Sequence, residues 1–255
     1  NAWRTVEHQL HRATDRRVSL SDVYAALQMP PIGMKAGPIP VLVTAVLIAT
    51  SDEVALYEHG TFRPVLTEEV CDRMVRNPGH FEIKHYANAS GGRRQVIEAR
   101  ADALGVQPRF RKQRVGNVLA IVSALVGRIA ALAPHTMYAT NLSAEARAVR
   151  DAIASATEPD DLLFSALPAA VGLGSIGARL KQWRHTETFA SQLVSSLAEL
   201  EGHYTVTLEE LASEMYRLAR ESGRKALAMQ AQILEGEVIN PGLRAFVFAL
   251  AAESM

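Results

Sequence analysis

Residues 162–180 read "LLFSALPAAVGLGSIGARL", and the fold class turns on how the glycines at 172, 174 and 177 are used. Their spacing is G-x-G-x-x-G, the loop that carries a dinucleotide pyrophosphate when a strand enters it and a helix leaves it. Upstream, Pro168 and neighbouring alanines make a poor central strand, because proline removes a ladder donor. Downstream, the chain keeps a helical pattern too long to reach the second strand whose acidic end would hold a ribose. Glu199 and Glu201 stand near the right distance, but on that helix. The stretch therefore reads as a loop between two helices, with no cofactor. A strand ending at Val171 would overturn this reading.

Working outward, helical patterns dominate from residue 93 onward. "RRQVIEARADALG" (93–105), "VGNVLAIVSALVGRIAAL" (115–132) and "SAEARAVRDAIASA" (143–156, capped by Ser143) come before the glycines. Thr157 and Asp160 read as a capping pair. A long helix is expected over 180–200, another from the capping box Thr207-x-x-Glu210, and two more over 224–236 and 241–252. Asp160–Asp161 and Glu209–Glu210 are then first-turn carboxylates rather than catalytic pairs.

The first ninety residues are different. Val6, Leu10 and Ala13 mark one helix, and Ser19 with Asp22 resembles the capping box of a second. "PPIGMKAGP" (30–38) is a break, and "PIPVLVTAVLIA" (38–49) an apolar helix entered by prolines. "EVALYEHGTFRPVL" (53–66) changes period and reads as a β-hairpin. A helix capped by Thr67 and a strand at "HFEIKHY" (80–86) follow, and "ANASGG" (87–92) is a linker. The expected class is mainly α: a winged-helix-like α+β module over 1–90 with a β-hairpin, then a multi-helix bundle over 91–255. A winged helix that reads DNA needs polar side chains on its third helix. Here that helix offers only Thr44, so the module is expected to pack rather than to read sequence.

Apolar residues make up 48% of the 255, enough to build a core. The longest apolar run is about 12 residues, short of the roughly 20 needed to span a bilayer, so no membrane is expected. The single cysteine, Cys71, excludes an internal disulfide and reads as a buried structural thiol in a reducing, cytoplasmic setting. No phosphate loop of the G-x-x-x-x-G-K-[ST] kind, no H-E-x-x-H and no G-x-S-x-G is present. Catalytic, cofactor and metal residues are accordingly assigned to none. His8 and His11 read as a solvated helix face, and His80 and His85 fall on opposite faces of a strand.

Net charge is zero but unevenly spread, at +7 over residues 76–140 and −5 over 141–255. The basic excess centres on "PRFRKQR" (108–114). Arg109, Arg111, Lys112 and Arg114 would clamp phosphates with Phe110 stacking on a base, and Arg93 and Arg94 would extend the patch. The same cations would equally neutralise acidic neighbours, including the C-terminal third of the chain.

The stretch "PPIGMKAGPIPVLVTAVLIATSDEVALYEHGTFRPVLTEEVCDRMVRNPGHFEI" (30–83) resembles a segment of very large bacterial P-loop ATP-binding proteins of the kind found in phage-defence gene clusters. "LSAEARAVRDAIASATEPDDLLFSALPAAVGL" (142–173) and "INPGLRAFVFAL" (239–250) are similar to later helical parts of such proteins. The resemblance implies a non-catalytic helical module whose Walker motifs lie elsewhere, with other domains or subunits of an ATPase assembly as partners. Two readings compete with it: a stand-alone nucleic-acid-binding protein that uses residues 93–114, with DNA as partner, and an enzyme whose site is assembled from distant residues.

Overall fold

A computed structural model of the chain describes residues 2–14, 16–51, 53–86, 93–97, 118–177, 180–219, 223–234 and 237–252. These are mainly helical, with a small four-stranded antiparallel sheet, and the chain divides into two compact units, Asn1–Glu201 and Gly202–Met255. Among the described residues no helix is long and apolar enough to cross a membrane.

The first unit is organised by its sheet. Strands β1 (Val18–Ser19), β2 (Val54–Glu58), β3 (Thr61–Arg63) and β4 (Phe81–His85) lie in the order β1-β4-β2-β3. β2 is buried along its whole length, so successive side chains enter two different cores. Val54 and Leu56 join a cluster with Leu10 of α1 (Ala2–Arg12), Val23 and Leu27 of α2 (Leu20–Gln28), Val43 of α3 (Pro38–Ala49) and Met74 of α4 (Glu68–Arg76). Ala55 and Tyr57 join the other, with Val122 and Leu125 of α5 (Val118–Ala130) and Val149 and Ile153 of α7 (Ala144–Ala154). Each fully buried Leu or Val contributes about 1.5–3 kcal/mol, so a strand serving both cores is costly to lose.

The hairpin turn is His59–Gly60, with φ of +49° and +78°. Two left-handed residues suit a two-residue loop whose twist matches that of the strands. Strand β1 had no signal in the sequence. Its two residues pair with Ile83 and Glu82 of β4, and a pairing that short carries no period to detect. Ser19 caps α2 by accepting from the Ser21 amide, without the reciprocal Asp22 contact of a capping box. Thr67 and Ser143 cap α4 and α7 as expected.

Between α5 and α7 lies the short α6 (Pro134–Tyr138). Arg150 of α7, only 8% exposed, donates from Nη1 to the carbonyls of Thr136 (3.1 Å) and Ala139 (2.9 Å). A helix end that would otherwise bury open carbonyls is satisfied this way.

No strand precedes the glycines. A single turn α8 (Pro159–Asp161), a π-helical turn (Leu162–Ala166) and α9 (Leu167–Ala170) lead into Val171, and the chain turns at Gly172 with φ +74°. Pro168 has no amide to give the Phe164 carbonyl, four residues back. That carbonyl accepts instead from the Ile176 amide at 2.7 Å, inside the glycine loop. The loop thus folds back onto the helix that the proline interrupts.

Helix α10 (Thr186–Ala219) departs from expectation at both ends. It starts six residues later than position 180, where the Thr186 hydroxyl donates to the Trp183 carbonyl. It also continues through the supposed break at 200–207. Thr207 lies mid-helix with its hydroxyl near His203 Nε2 (3.5 Å), and Glu209 and Glu210 are exposed side chains of a helix interior, not first-turn residues.

The second unit holds the last part of α10 together with α11 (Arg224–Leu234) and α12 (Pro241–Ala252). Its buried cluster is small: Ala231, Val247 and Ala251, with Val238 and Leu250 against them. Asn240 caps α12, its Oδ1 accepting from the amides of Gly242 and Leu243.

Candidate functional site

Polar chemistry concentrates where the sheet of the first unit meets the start of α8. Glu158 precedes that helix and takes the N-cap position without capping it. The expected Thr157–Asp160 capping pair is not formed, because Glu158 turns its carboxylate toward the sheet. One oxygen, Oε1, is bound by Arg17 Nη2. The other, Oε2, lies 3.1 Å from Lys84 Nζ of β4 and 3.0 Å from each of the phenol oxygens of Tyr57 (β2) and Tyr86. The two phenols are 2.7 Å apart. Arg17 also stacks over the Tyr57 ring, 3.8 Å from its centroid, and bridges to Glu82.

Burial alone would raise the Glu158 pKa. The hydrogen bonds from Arg17, Lys84 and Tyr86 outweigh it and hold the carboxyl below its usual range. Burial pushes both tyrosine hydroxyls well above theirs, so they stay neutral donors. Two cations, Arg17 and Lys84, balance two carboxylates, Glu82 and Glu158. Every group here is committed to a neighbour. The cluster clasps the strands to the start of α8.

Asp160, two residues on, is different. Burial raises its pKa, and Glu158 adds to this, against the opposing charges of Arg93 and Lys84. A buried carboxylate, Glu58 (4% exposed), ends β2. It receives Arg73 Nε at 2.5 Å, Arg73 Nη2 at 3.0 Å and Arg63 Nε at 2.9 Å, and Arg73 above all keeps its pKa low.

The basic patch is only partly within the described residues. Arg93 sits 4.4 Å from the Phe164 ring centroid and donates to the Ile176 carbonyl (3.3 Å), so it braces the glycine loop. Arg94 is exposed. Arg109, Phe110, Arg111, Lys112 and Arg114 lie outside the described residues. The histidines separate, His59 stacking near His80 (4.4 Å) and His11 near His85 (5.5 Å). Among the described residues no group of three or more His, Cys, Asp or Glu could hold a metal ion. Cys71 is half-buried on α4, and burial pushes its thiol pKa up.

Sequence reasoning missed the Glu158 cluster because its members are spread over 141 positions and none belongs to a motif. The detectable signal was weak: Tyr57 within one short strand, and Lys84 and Tyr86 two positions apart at the end of another.

The other unusual surface is apolar. In the second unit, Leu211, Leu218, Met229, Ile233, Ile239 and Phe248 are each more than half exposed. No protein-family model, no curated protein and no solved structure matches the chain.

Proposed function

We propose that the chain is a non-catalytic helical module of a larger bacterial ATPase, of the phage-defence kind that its sequence resembles, and that it serves to bind other domains or subunits. The observation that carries the binding role is the run of exposed leucine, isoleucine, methionine and phenylalanine side chains on residues 208–248. Large apolar side chains exposed together mark an interaction site, and these all belong to the second unit. The winged-helix-like reading of the N-terminal part draws support from the order α1-β1-α2-α3-β2-β3. Helix α3 buries Ile39, Val43, Val46 and Leu47 and carries no charge, which favours packing over DNA reading.

Two titrations of the isolated chain test this reading. With ATP, neither binding heat nor hydrolysis is expected, and measurable turnover would contradict the non-catalytic role. With duplex DNA at low salt, no binding is expected. Salt-dependent binding that disappears on changing Arg109, Arg111, Lys112 and Arg114 to Ala would replace the protein-binding role with a nucleic-acid one.

A further inference from the structure

Leu208, Leu211 and Leu218 recur at intervals of three and seven along α10, which places them on one stripe of the helix. They are 45%, 55% and 69% exposed. One flank of the stripe carries Glu210 and Glu214, both exposed. Among the described residues Glu214 pairs with Arg217, itself exposed, a contact worth little and easily exchanged.

Helix α11 carries the complement. Met229 and Ile233, at 59% and 75% exposure, share a stripe at four-residue spacing with the exposed Lys225. Both stripes are open in the same chain, so neither covers the other within one copy. Laid antiparallel, Met229 meets Leu211, Ile233 meets Leu208 and Lys225 meets Glu214. Laid parallel with Met229 on Leu208, Lys225 falls at position 204, where no carboxylate stands. Laid parallel with Lys225 on Glu214, Met229 meets Leu218 but Ile233 falls on Ser222, so charge and both apolar contacts together select the antiparallel match.

We propose that the occupant of the α10 stripe is α11 of a second copy of this chain. The same pairing made twice about a two-fold axis gives a closed dimer. This inference rests on the reading of residues 202–252 as an interaction surface, and it names the partner.

The test is light scattering on the full chain over rising concentration, with charge-exchange variants and with the dye ANS as a probe of open apolar surface. A mass twice the 27.7 kDa of one chain is expected. Glu210→Lys with Glu214→Lys should weaken the dimer about tenfold or more, and adding Lys225→Glu should recover most of that loss. A dimer indifferent to these reversals overturns the proposed pairing. A folded monomer that binds ANS, with binding lost in Leu208→Ser/Leu211→Ser, overturns the second copy as occupant and leaves the interaction surface standing. A folded monomer with no dye binding overturns both.

Discussion

The hydroxyls of Tyr57 and Tyr86 stand 2.7 Å apart and share one oxygen of Glu158. Each phenol has a single proton, so two of the three oxygen–oxygen contacts carry a hydrogen bond at once, while Lys84 and Arg17 donate to Glu158. Glu158→Gln removes the carboxylate that Arg17 and Lys84 share, leaving Arg17 with Glu82 alone, and we expect a loss of about 1–3 kcal/mol in urea unfolding at neutral pH. Tyr57→Phe and Tyr86→Phe should not be additive. A double-mutant cycle should show coupling of about 0.5–1.5 kcal/mol, and additivity would mean that the triangle does not act as a unit.

The carboxylates give a pH signature with two signs. Glu58 and Glu158 have lowered folded-state pKa values. Their stabilisation is present above the unfolded value, about 4.3, and is lost as pH falls through the folded values, because the unfolded chain takes up protons first. Asp160 has a raised folded-state pKa. Its ionised form opposes folding, so its contribution improves as pH falls through that value toward the unfolded one. Asp160→Asn should therefore stabilise the protein at pH 7 and leave a steeper acid loss. Unfolding curves from pH 7 to 3 check this, and an unchanged profile in the variant would count against the raised pKa of the partly buried Asp160.

Gly172 should be the only demanding glycine of its loop. Its φ of +74° strains any side chain, so Gly172→Ala is expected to cost about 1 kcal/mol. Gly174 and Gly177 have open space where a Cβ would stand and no left-handed φ, so alanine there should be neutral in a thermal melt. A dinucleotide loop would behave in the opposite way, since its second glycine admits the pyrophosphate.

Arg150→Met removes the donor to the Thr136 and Ala139 carbonyls, and about 2 kcal/mol should be lost. The conservative Arg150→Lys should recover only part, because an ammonium cannot keep both carbonyls and Asp151 in the guanidinium's geometry.

What was legible in the sequence was local. The hairpin at His59–Gly60, the caps Thr67 and Ser143, and the loop reading of residues 172–177 each rest on residues within a few positions of one another. What was hidden depends on distant partners. Strand β1 exists because β4 offers Val18 and Ser19 an edge. Helix α10 runs through Gly202 and Thr205–Thr207 because propensity alone does not stop a helix that is anchored upstream by Phe189, Leu193, Leu197 and Leu200. Pro168 weighed against a strand, but that it would free the Phe164 carbonyl for Ile176 could be seen only in three dimensions.

In the proposed reading, the described residues of the first unit hold the stable core, and those of 202–252 form a surface completed by association. Hydrogen–deuterium exchange on the full chain, read by mass spectrometry at low and high protein concentration, tests it most directly. Amides of β2, β4 and α5 should exchange slowest at both concentrations, and those of residues 202–252 should exchange fast when dilute and gain protection when concentrated. Equal protection of both segments at low concentration, with no change on concentrating, would contradict it.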